Sequence, residues 1–204
     1  MTRLGFLMAR LMRQEAPLAA LSVSQAELSG DLAGKSVALV GNARALAEGD
    51  AGAEIDGHDV VIRINRAPMP SVRSHGTRTD WLALATSLSA ADRARIKPGR
   101  ILWMGHKRKR LDWQSAQSDG FYLHPLDDYE ALKTRLGAQP TTGVMLIDML
   151  ARSNLARLDL YGFDFFASLS LSGSRSADKV PHDFAAEAAL VGTLIAQDSR
   201  IIRN

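Results

Sequence analysis

Ser36-Val37-Ala38-Leu39-Val40-Gly41 is the stretch that decides the fold, because it joins β-branched and aliphatic residues to a closing glycine. This pattern is typical of a buried strand. Similar apolar runs follow at 60–64, 81–85, 101–104 and 158–161. Helical patterns separate these runs, and strands that alternate with helices form parallel βαβ units. The sequence therefore predicts an α/β fold, a single Rossmann-like domain with a mostly parallel sheet flanked by helices.

Two helices are predicted in the second half of the chain. One covers Gly143 to Ser153, and the last runs from about His182 to Asp198. The apolar residues of the last helix recur at a helical spacing. The side chains that this spacing places on one face are Phe184, Ala188, Val191 and Ile195.

Residues 1–34 are predicted to form an N-terminal helical leader, and residues 35–204 the main domain. The leader opens with the apolar stretch Leu4–Met12 and ends in turn-rich residues 29–34. The apolar stretch is shorter than the roughly 20 residues that cross a bilayer, and arginines interrupt the pattern of a secretory signal. We favour a helix packed on the body of the domain. A helix that lies flat on a membrane is the alternative.

The composition excludes several kinds of site. The 204 residues include no cysteine, which rules out a disulfide scaffold, a thiolate zinc site and a cysteine nucleophile. The five histidines lack metal-ligand spacing and no Asp-x-Asp triplet occurs, so the sequence predicts neither a metal nor another cofactor. The net charge of +3 suits an anionic substrate.

Two asparagines follow predicted strands at the places where a ligand would bind. Asn42 comes directly after the first apolar run and Asn65 directly after the second. In open parallel sheets the ligand crevice lies beyond the carboxyl ends of the strands. The loop Gly41-Asn42-Ala43-Arg44 lacks the G-x-G-x-x-G fingerprint, which disfavours an ordinary dinucleotide site. Gly34-Lys35-Ser36 precedes its strand and is therefore not a P-loop.

The densest basic run is His106-Lys107-Arg108-Lys109-Arg110. Such a run could bind phosphate-rich glycolipid headgroups or nucleic acid. A solvated loop is the equal alternative, because charge runs usually face water.

Three blocks of sequence, in the family's order, together resemble the eukaryotic and viral-type sialyltransferases of glycosyltransferase family 29. Residues 37–42, 54–68 and 76–79 are similar to the family's large motif, residues 140–143 and 158–163 to its small motif, and His182 with Glu187 to its very small H-x4-E motif. The blocks cover somewhat over a third of the chain.

The resemblance implies an inverting, metal-independent glycosyltransferase. It would move a nonulosonic acid, such as sialic acid or a Kdo-like sugar, from a CMP-activated donor to a glycan or glycolipid hydroxyl. His182 would be the general base, and the implied donor contacts are Asn42, Asn65, Thr141, Thr142 and Gly143. A bound nucleic acid is not expected. A cytoplasmic location, with or without peripheral contact with a membrane, is the corresponding expectation.

These residue types suit the implied roles. Thr141-Thr142-Gly143 opens a helical pattern, and free N–H groups at a helix start attract an anion. An unperturbed histidine titrates near pH 6.5 and can accept a hydroxyl proton. These residues also have structural interpretations: the asparagines as turn residues, Thr141 or Thr142 as a helix cap, and His182 as the start of a helix. Glu187 lies about 500° around a helix from His182, which favours a structural role for it.

One departure keeps alternatives open. The family has a short His/Tyr motif between its small and very small motifs, whereas residues 164–170 contain neither residue. A catalytically inactive CMP-binding protein of the same fold is therefore one rival. A Rossmann oxidoreductase that binds NAD(P) is another.

The resemblance also implies a packing contact. In the family a cysteine of the large motif forms a disulfide with one of the small motif, and the matching positions here are Val37 and Leu155. We predict that both are buried close neighbours, Val37 at the start of the first strand and Leu155 at the end of the helix after Thr142. Their side chains would replace the disulfide with an apolar contact.

Overall fold

A computed structural model describes residues 1–164 and 181–204 of the protein. The helices and strands of these residues alternate along most of the chain. They are α1 (Arg3–Leu11), α2 (Glu15–Ala19), α3 (Gln25–Leu32), β1 (Ser36–Val40), α4 (Gly52–Asp56), β2 (Val60–Ile64), α5 (Val72–His75), β3 (Trp81–Leu84), α6 (Ala90–Ile96), β4 (Arg100–Trp103), α7 (Trp113–Ala116), β5 (Tyr122–Leu123), α8 (Leu126–Leu136), α9 (Thr142–Ala151), β6 (Arg157–Tyr161), α10 (Phe184–Gln197) and β7 (Ile201–Arg203).

The strands form one sheet in the order β5-β4-β3-β2-β1-β6-β7. Every pairing between neighbouring strands is parallel. The predicted Rossmann-like α/β fold is therefore confirmed. The chain builds the sheet outward from β1 to β5 and then crosses back to place β6 on the other side of β1. This reversal between β1 and β6 is the point where open parallel sheets bind their ligands.

The five predicted strands are present, and the structure adds β5 and β7. These two lie at opposite edges of the sheet and contain only two and three residues. A strand of that length carries no detectable alternation, so its pattern is not distinguishable from a loop. Pairing with β4 and β6 is what defines them.

Alternate residues of the strands enter hydrophobic clusters on opposite faces of the sheet. Leu39 and Ile62 join a cluster that includes residues of α3, α8, α9 and α10. Leu82 and Trp103 join a cluster that includes residues of α1, α2, α6 and α7. The sheet is thus covered by helices on both faces, as a parallel sheet requires.

The leader contains three helices, and its predicted turn-rich end at 29–34 is largely helical. The hydroxyl of Ser24 caps α3 by accepting from the N–H of Glu27 at 3.1 Å. Leu28 and Leu32 are buried against the sheet, and this burial outweighs the poor helix propensity of Gly30. Helix α1 packs on the body of the domain with one face. The division of the chain at residue 34 stays a prediction.

Val37 and Leu155 are both buried, as the family alignment predicts, and they belong to the same hydrophobic cluster, whereas their direct contact stays a prediction. The N–H of Ala156 donates to the carbonyl of Lys35 at 2.8 Å, which holds the two chain segments side by side. The predicted position of Leu155 at a helix end is wrong. Helix α9 ends at Ala151, and Leu155 lies in the connection to β6.

Part of the stretch that resembles the large motif serves the fold. Arg63, in the middle of β2, is 1% exposed, and its guanidinium donates to the carbonyls of Arg78 and His75. The carboxylate of Asp56 accepts from the N–H groups of Thr77 and Arg78 at 2.8 and 3.0 Å. Burial lowers the pKa of Arg63 to about 10, so it stays charged at neutral pH. These contacts fix the loop between α5 and β3 onto β2 and onto the end of α4.

Candidate active site

A cavity of about 750 Å³ lies at the carboxyl ends of the strands. Its walls are the loops that follow β1, β2, β3, β4 and β6, together with the starts of α9 and α10. All six residues predicted for the site line it: Asn42, Asn65, Thr141, Thr142, Gly143 and His182. The fold thus brings the six residues together in one cavity, and their individual roles stay predictions.

Two glycines, Gly41 and Gly162, line the cavity where β1 and β6 end. The N–H of Gly41 donates to the carbonyl of Tyr161 at 2.7 Å, and that of Ala43 to the carbonyl of Gly162 at 3.2 Å. A side chain at position 41 would overlap the carbonyl of Gly162, and one at Gly143 would come within 2.7 Å of the ring of Phe163. Glycine at positions 41 and 143 therefore lets the two strand ends and α9 approach closely.

The two asparagines connect neighbouring strand ends. The Asn42 amide donates to the carbonyl of Ile64 at 3.5 Å, a long bond, and the Oδ1 of Asn65 accepts from the N–H of Ala85 at 3.2 Å. Asn65 has a φ of 52°, in the left-handed region that asparagine tolerates better than most residues. Within the described residues, the Nδ2 of Asn65 has no hydrogen-bond partner, so this donor is available to a ligand.

Helix α9 begins at the cavity with an N-cap that is itself held in place. The hydroxyl of Thr141 accepts from the N–H of Val144 at 3.3 Å. The N–H and the hydroxyl of Thr141 both donate to the carboxylate of Glu187, at 2.7 and 2.8 Å. No hydrogen bond among residues 1–164 and 181–204 uses the N–H groups of Thr142 and Gly143. These two donors and the positive end of the helix line the cavity.

Glu187 is 2% exposed and reaches α9 from the first turn of α10. Burial raises the pKa of its carboxyl to about 7, and the bonds from Thr141 oppose that rise. Its contacts are with Thr141 and not with His182. This arrangement fits the structural role predicted for it.

His182 lies just before Asp183, the N-cap of α10. Its Nδ1 is 2.7 Å from the carbonyl oxygen of Gln139. A carbonyl can only accept, so Nδ1 carries a proton and Nε2 holds the lone pair in the neutral ring. The imidazole is thereby oriented by the segment that precedes α9, and it lines the cavity as a group that can accept a proton.

The basic run contributes residues that the sequence alone did not assign to the site. His106, Lys107 and Arg110 line the cavity. Arg108 points the other way: it is 5% exposed and binds the carboxylate of Glu15 at 2.6 Å. The run is therefore not a uniformly solvated loop. The position of the run after β4 could have indicated that it lines the site, because the crevice of a parallel sheet lies beyond the strand ends.

Three expectations concern features that lie outside the described residues or that these residues lack. The region of the missing His/Tyr motif, 164–170, lies outside them except for Asp164, which lines the cavity. In the described parts of the chain, no group of three or more His, Asp or Glu side chains could hold a metal ion. No helix there is long and apolar enough to span a membrane.

One comparison with known proteins identifies a family. The model of glycosyltransferase family 29 (sialyltransferase) matches residues 8–116, just over half of the chain. No curated protein matches the chain.

Similar solved structures share the fold at low sequence identity. A mammalian sialyltransferase in complex with Gal-β-1-3GalNAc-ortho-nitrophenol has a TM-score of 0.65 at 19% identity, over 97% of this chain and 84% of its own. A mammalian sialyltransferase structure has a TM-score of 0.63 at 20% identity, over 84% and 69%. The Campylobacter jejuni sialyltransferase CstII, in complex with the substrate analogue CMP-3FNeuAc, has a TM-score of 0.54 at 14% identity, over 83% and 78%.

Proposed function

The chain belongs to glycosyltransferase family 29, the sialyltransferases, and from this premise we propose that it is an inverting, metal-independent transferase of a nonulosonic acid. The donor is a CMP-activated sugar, sialic acid or a Kdo-like acid, and the acceptor is a glycan or glycolipid hydroxyl. The observation that carries the proposal is one cavity in which a helix start, two asparagines and an oriented histidine meet.

The start of α9 suits the phosphate of the CMP donor. The N–H groups of Thr142 and Gly143 and the positive end of the helix offer donors to an anion that no metal neutralises. The amides of Asn42 and Asn65 can donate to ribose or accept from a base edge. Lys107 and Arg110 add positive charge to the same cavity. The CMP-3FNeuAc complex of CstII supports a CMP-sugar donor for this fold.

His182 suits the acceptor hydroxyl. The lone pair on Nε2 takes the hydroxyl proton while the oxygen attacks the anomeric carbon on the face opposite CMP. The bond between that carbon and the phosphate oxygen breaks, and its electron pair leaves with CMP. A single displacement of this kind inverts the anomeric configuration.

A nucleotide screen by thermal shift tests the donor. We expect CMP to raise the melting temperature, since a ligand at 100 times its Kd stabilises by about 2.7 kcal/mol, and we expect UDP and NAD to raise it less. The variant Asn65→Asp should lose this shift, because a carboxylate has no N–H to donate to the ribose and adds negative charge to the cavity that would hold the phosphate. Asn154→Asp, an exposed position in the loop before β6, is the matched control.

The outcomes separate the rivals. A shift with NAD and none with CMP would favour a Rossmann oxidoreductase. A CMP shift without transfer or donor hydrolysis would favour the inactive binding protein.

Removal of divalent ions tests metal independence. We expect transfer activity to be unchanged in EDTA and after addition of Mg²⁺ or Mn²⁺, because the helix start and basic side chains supply the charge that a metal would otherwise supply. Activity is measured as CMP release on protein dialysed against chelator. A loss in EDTA that Mg²⁺ or Mn²⁺ restores would contradict the prediction.

A further inference from the structure

Helix α1 exposes an apolar face. In the described parts of the chain, six of the eight exposed large hydrophobic side chains lie within residues 1–12: Met1, Leu4, Leu7, Met8, Leu11 and Met12. A helix turns 100° per residue, which places Leu4, Leu7, Met8 and Leu11 within an arc of about 100°. We call these four residues the outer face of α1. Leu4 and Leu11 are 71% and 77% exposed.

The opposite face of α1 is fixed to the protein. Phe6 and Ala9 are buried, and the ring of Phe6 packs against Trp113 with a centroid distance of 5.1 Å. The guanidinium of Arg10 donates to the carbonyl of Leu111 at 2.8 Å. The packed and the membrane-bound interpretations of this helix are therefore compatible, because each uses a different face.

The charges around the outer face are basic. Helix α1 contains no acidic residue, and arginines stand at positions 3, 10 and 13. The nearest acid along the chain, Glu15, is paired with Arg108. The contact of Arg10 with Leu111 also brings α1 beside the exposed residues Lys109 and Arg110.

This combination matches one kind of partner. An apolar helix face with basic residues beside it is the pattern of helices that lie in the interface of anionic membranes. A symmetric contact between two copies of α1 would instead bring arginines against arginines, which is unfavourable. We propose that α1 docks the protein on an anionic lipid bilayer through its outer face.

Docking has a consequence for the acceptor. The loop 105–111 contacts α1 through Leu111 and lines the cavity through Lys107 and Arg110. A bilayer bound at α1 therefore lies next to the basic side of the cavity. This favours an acceptor glycan carried by a membrane lipid. The consequence for the acceptor rests on the proposed function, whereas the docking does not.

Vesicle co-sedimentation of the full chain tests the docking. The probes are vesicles of phosphatidylcholine alone and of phosphatidylcholine with phosphatidylglycerol. We expect binding to the anionic vesicles that weakens with salt. The triple variant Leu4→Ser, Met8→Ser and Leu11→Ser should bind the anionic vesicles with an affinity at least about tenfold lower. Val72→Ser, an exposed apolar position on α5, should bind like the unchanged protein.

Other outcomes overturn the docking. They are no sedimentation of the unchanged protein with anionic vesicles, equal sedimentation of the triple variant, or a dimer in solution that the triple variant dissociates. Circular dichroism checks folding. If the triple variant is unfolded, the double variant Arg3→Glu and Arg13→Glu tests the docking instead. It leaves the outer face of α1 unchanged, and it should lose binding to the anionic vesicles. Failure of CMP to bind while vesicles still do would overturn the proposed function alone.

Discussion

His182→Ala is expected to lower the rate of transfer by roughly 10²–10⁴-fold, the usual contribution of a general base, and to leave CMP affinity nearly unchanged. The imidazole is oriented by the carbonyl of Gln139, which directs the proton to Nδ1 and leaves Nε2 as the acceptor. The donor contacts proposed for the asparagines and the start of α9 do not involve this ring. The measurements are initial rates of transfer and a CMP titration.

The pH profile and a second variant separate proton transfer from shape. His182→Asn keeps a donor that can reach the carbonyl of Gln139 but removes the base, so its rate should fall as far as that of His182→Ala. The acidic limb of the profile of kcat/KM should disappear in both variants. An unchanged rate in His182→Ala would remove His182 from the mechanism. A nearly full rate in His182→Asn would assign the ring a positioning role only.

The parts of the fold that follow from local pattern could be predicted from the sequence. The five longer strands could be predicted because each is a continuous aliphatic run, as in β1 at Ser36–Val40. The edge strands β5 and β7 could not, since tertiary pairing alone defines them. The sequence predicts turns at 29–34, where Gly30 is a poor helix former, but the second half of α3 covers residues 29–32. The burial of Leu28 and Leu32, which depends on the sheet, decided the outcome.

Some residues of the candidate site could also be predicted from the sequence, and others could not. Asn42 and Asn65 could be predicted because they follow strands, and the crevice of a parallel sheet lies there. Lys107 and Arg110 could not be assigned, because a charge run has the same pattern whether it faces bulk water or a cavity. The inward turn of Arg108 depends on Glu15, which lies 93 residues earlier in the chain. The residues next to Arg108 in the sequence do not indicate a partner so far away in the chain.

Glu187 is a residue for which we expect a large effect of pH on stability. Burial raises the pKa of its carboxyl from 4.5 to about 7. The folded state therefore binds a proton that the unfolded state releases between these pH values. The stability that this proton contributes is fully present below pH 4.5 and is lost as the pH rises through about 7. Above this pH, the loss of the proton's contribution lowers the free energy of unfolding by roughly 3 kcal/mol.

Glu187→Gln isolates this effect because the glutamine cannot ionise. Its amide oxygen can accept from the N–H of Thr141, and its NH₂ group can donate to the hydroxyl of Thr141. We expect the variant to match the unchanged protein below pH 4.5 and to be more stable by roughly 3 kcal/mol near pH 8. Urea unfolding across this range measures the difference. Glu48→Gln, at an exposed position, should show no such divergence.

Glu187→Ala, in contrast to Glu187→Gln, is expected to destabilise the start of α9. It leaves the N–H and hydroxyl of Thr141 without their partner, which costs about 1–3 kcal/mol for a buried donor. The N-cap of α9 then loses its anchor, and CMP affinity should fall in this variant while Glu187→Gln retains it. Parallel stability curves for the unchanged protein and Glu187→Gln at all pH values would mean that the Thr141 bonds offset burial and that Glu187 ionises normally. Unchanged CMP affinity in Glu187→Ala would mean that the start of α9 is held without Glu187.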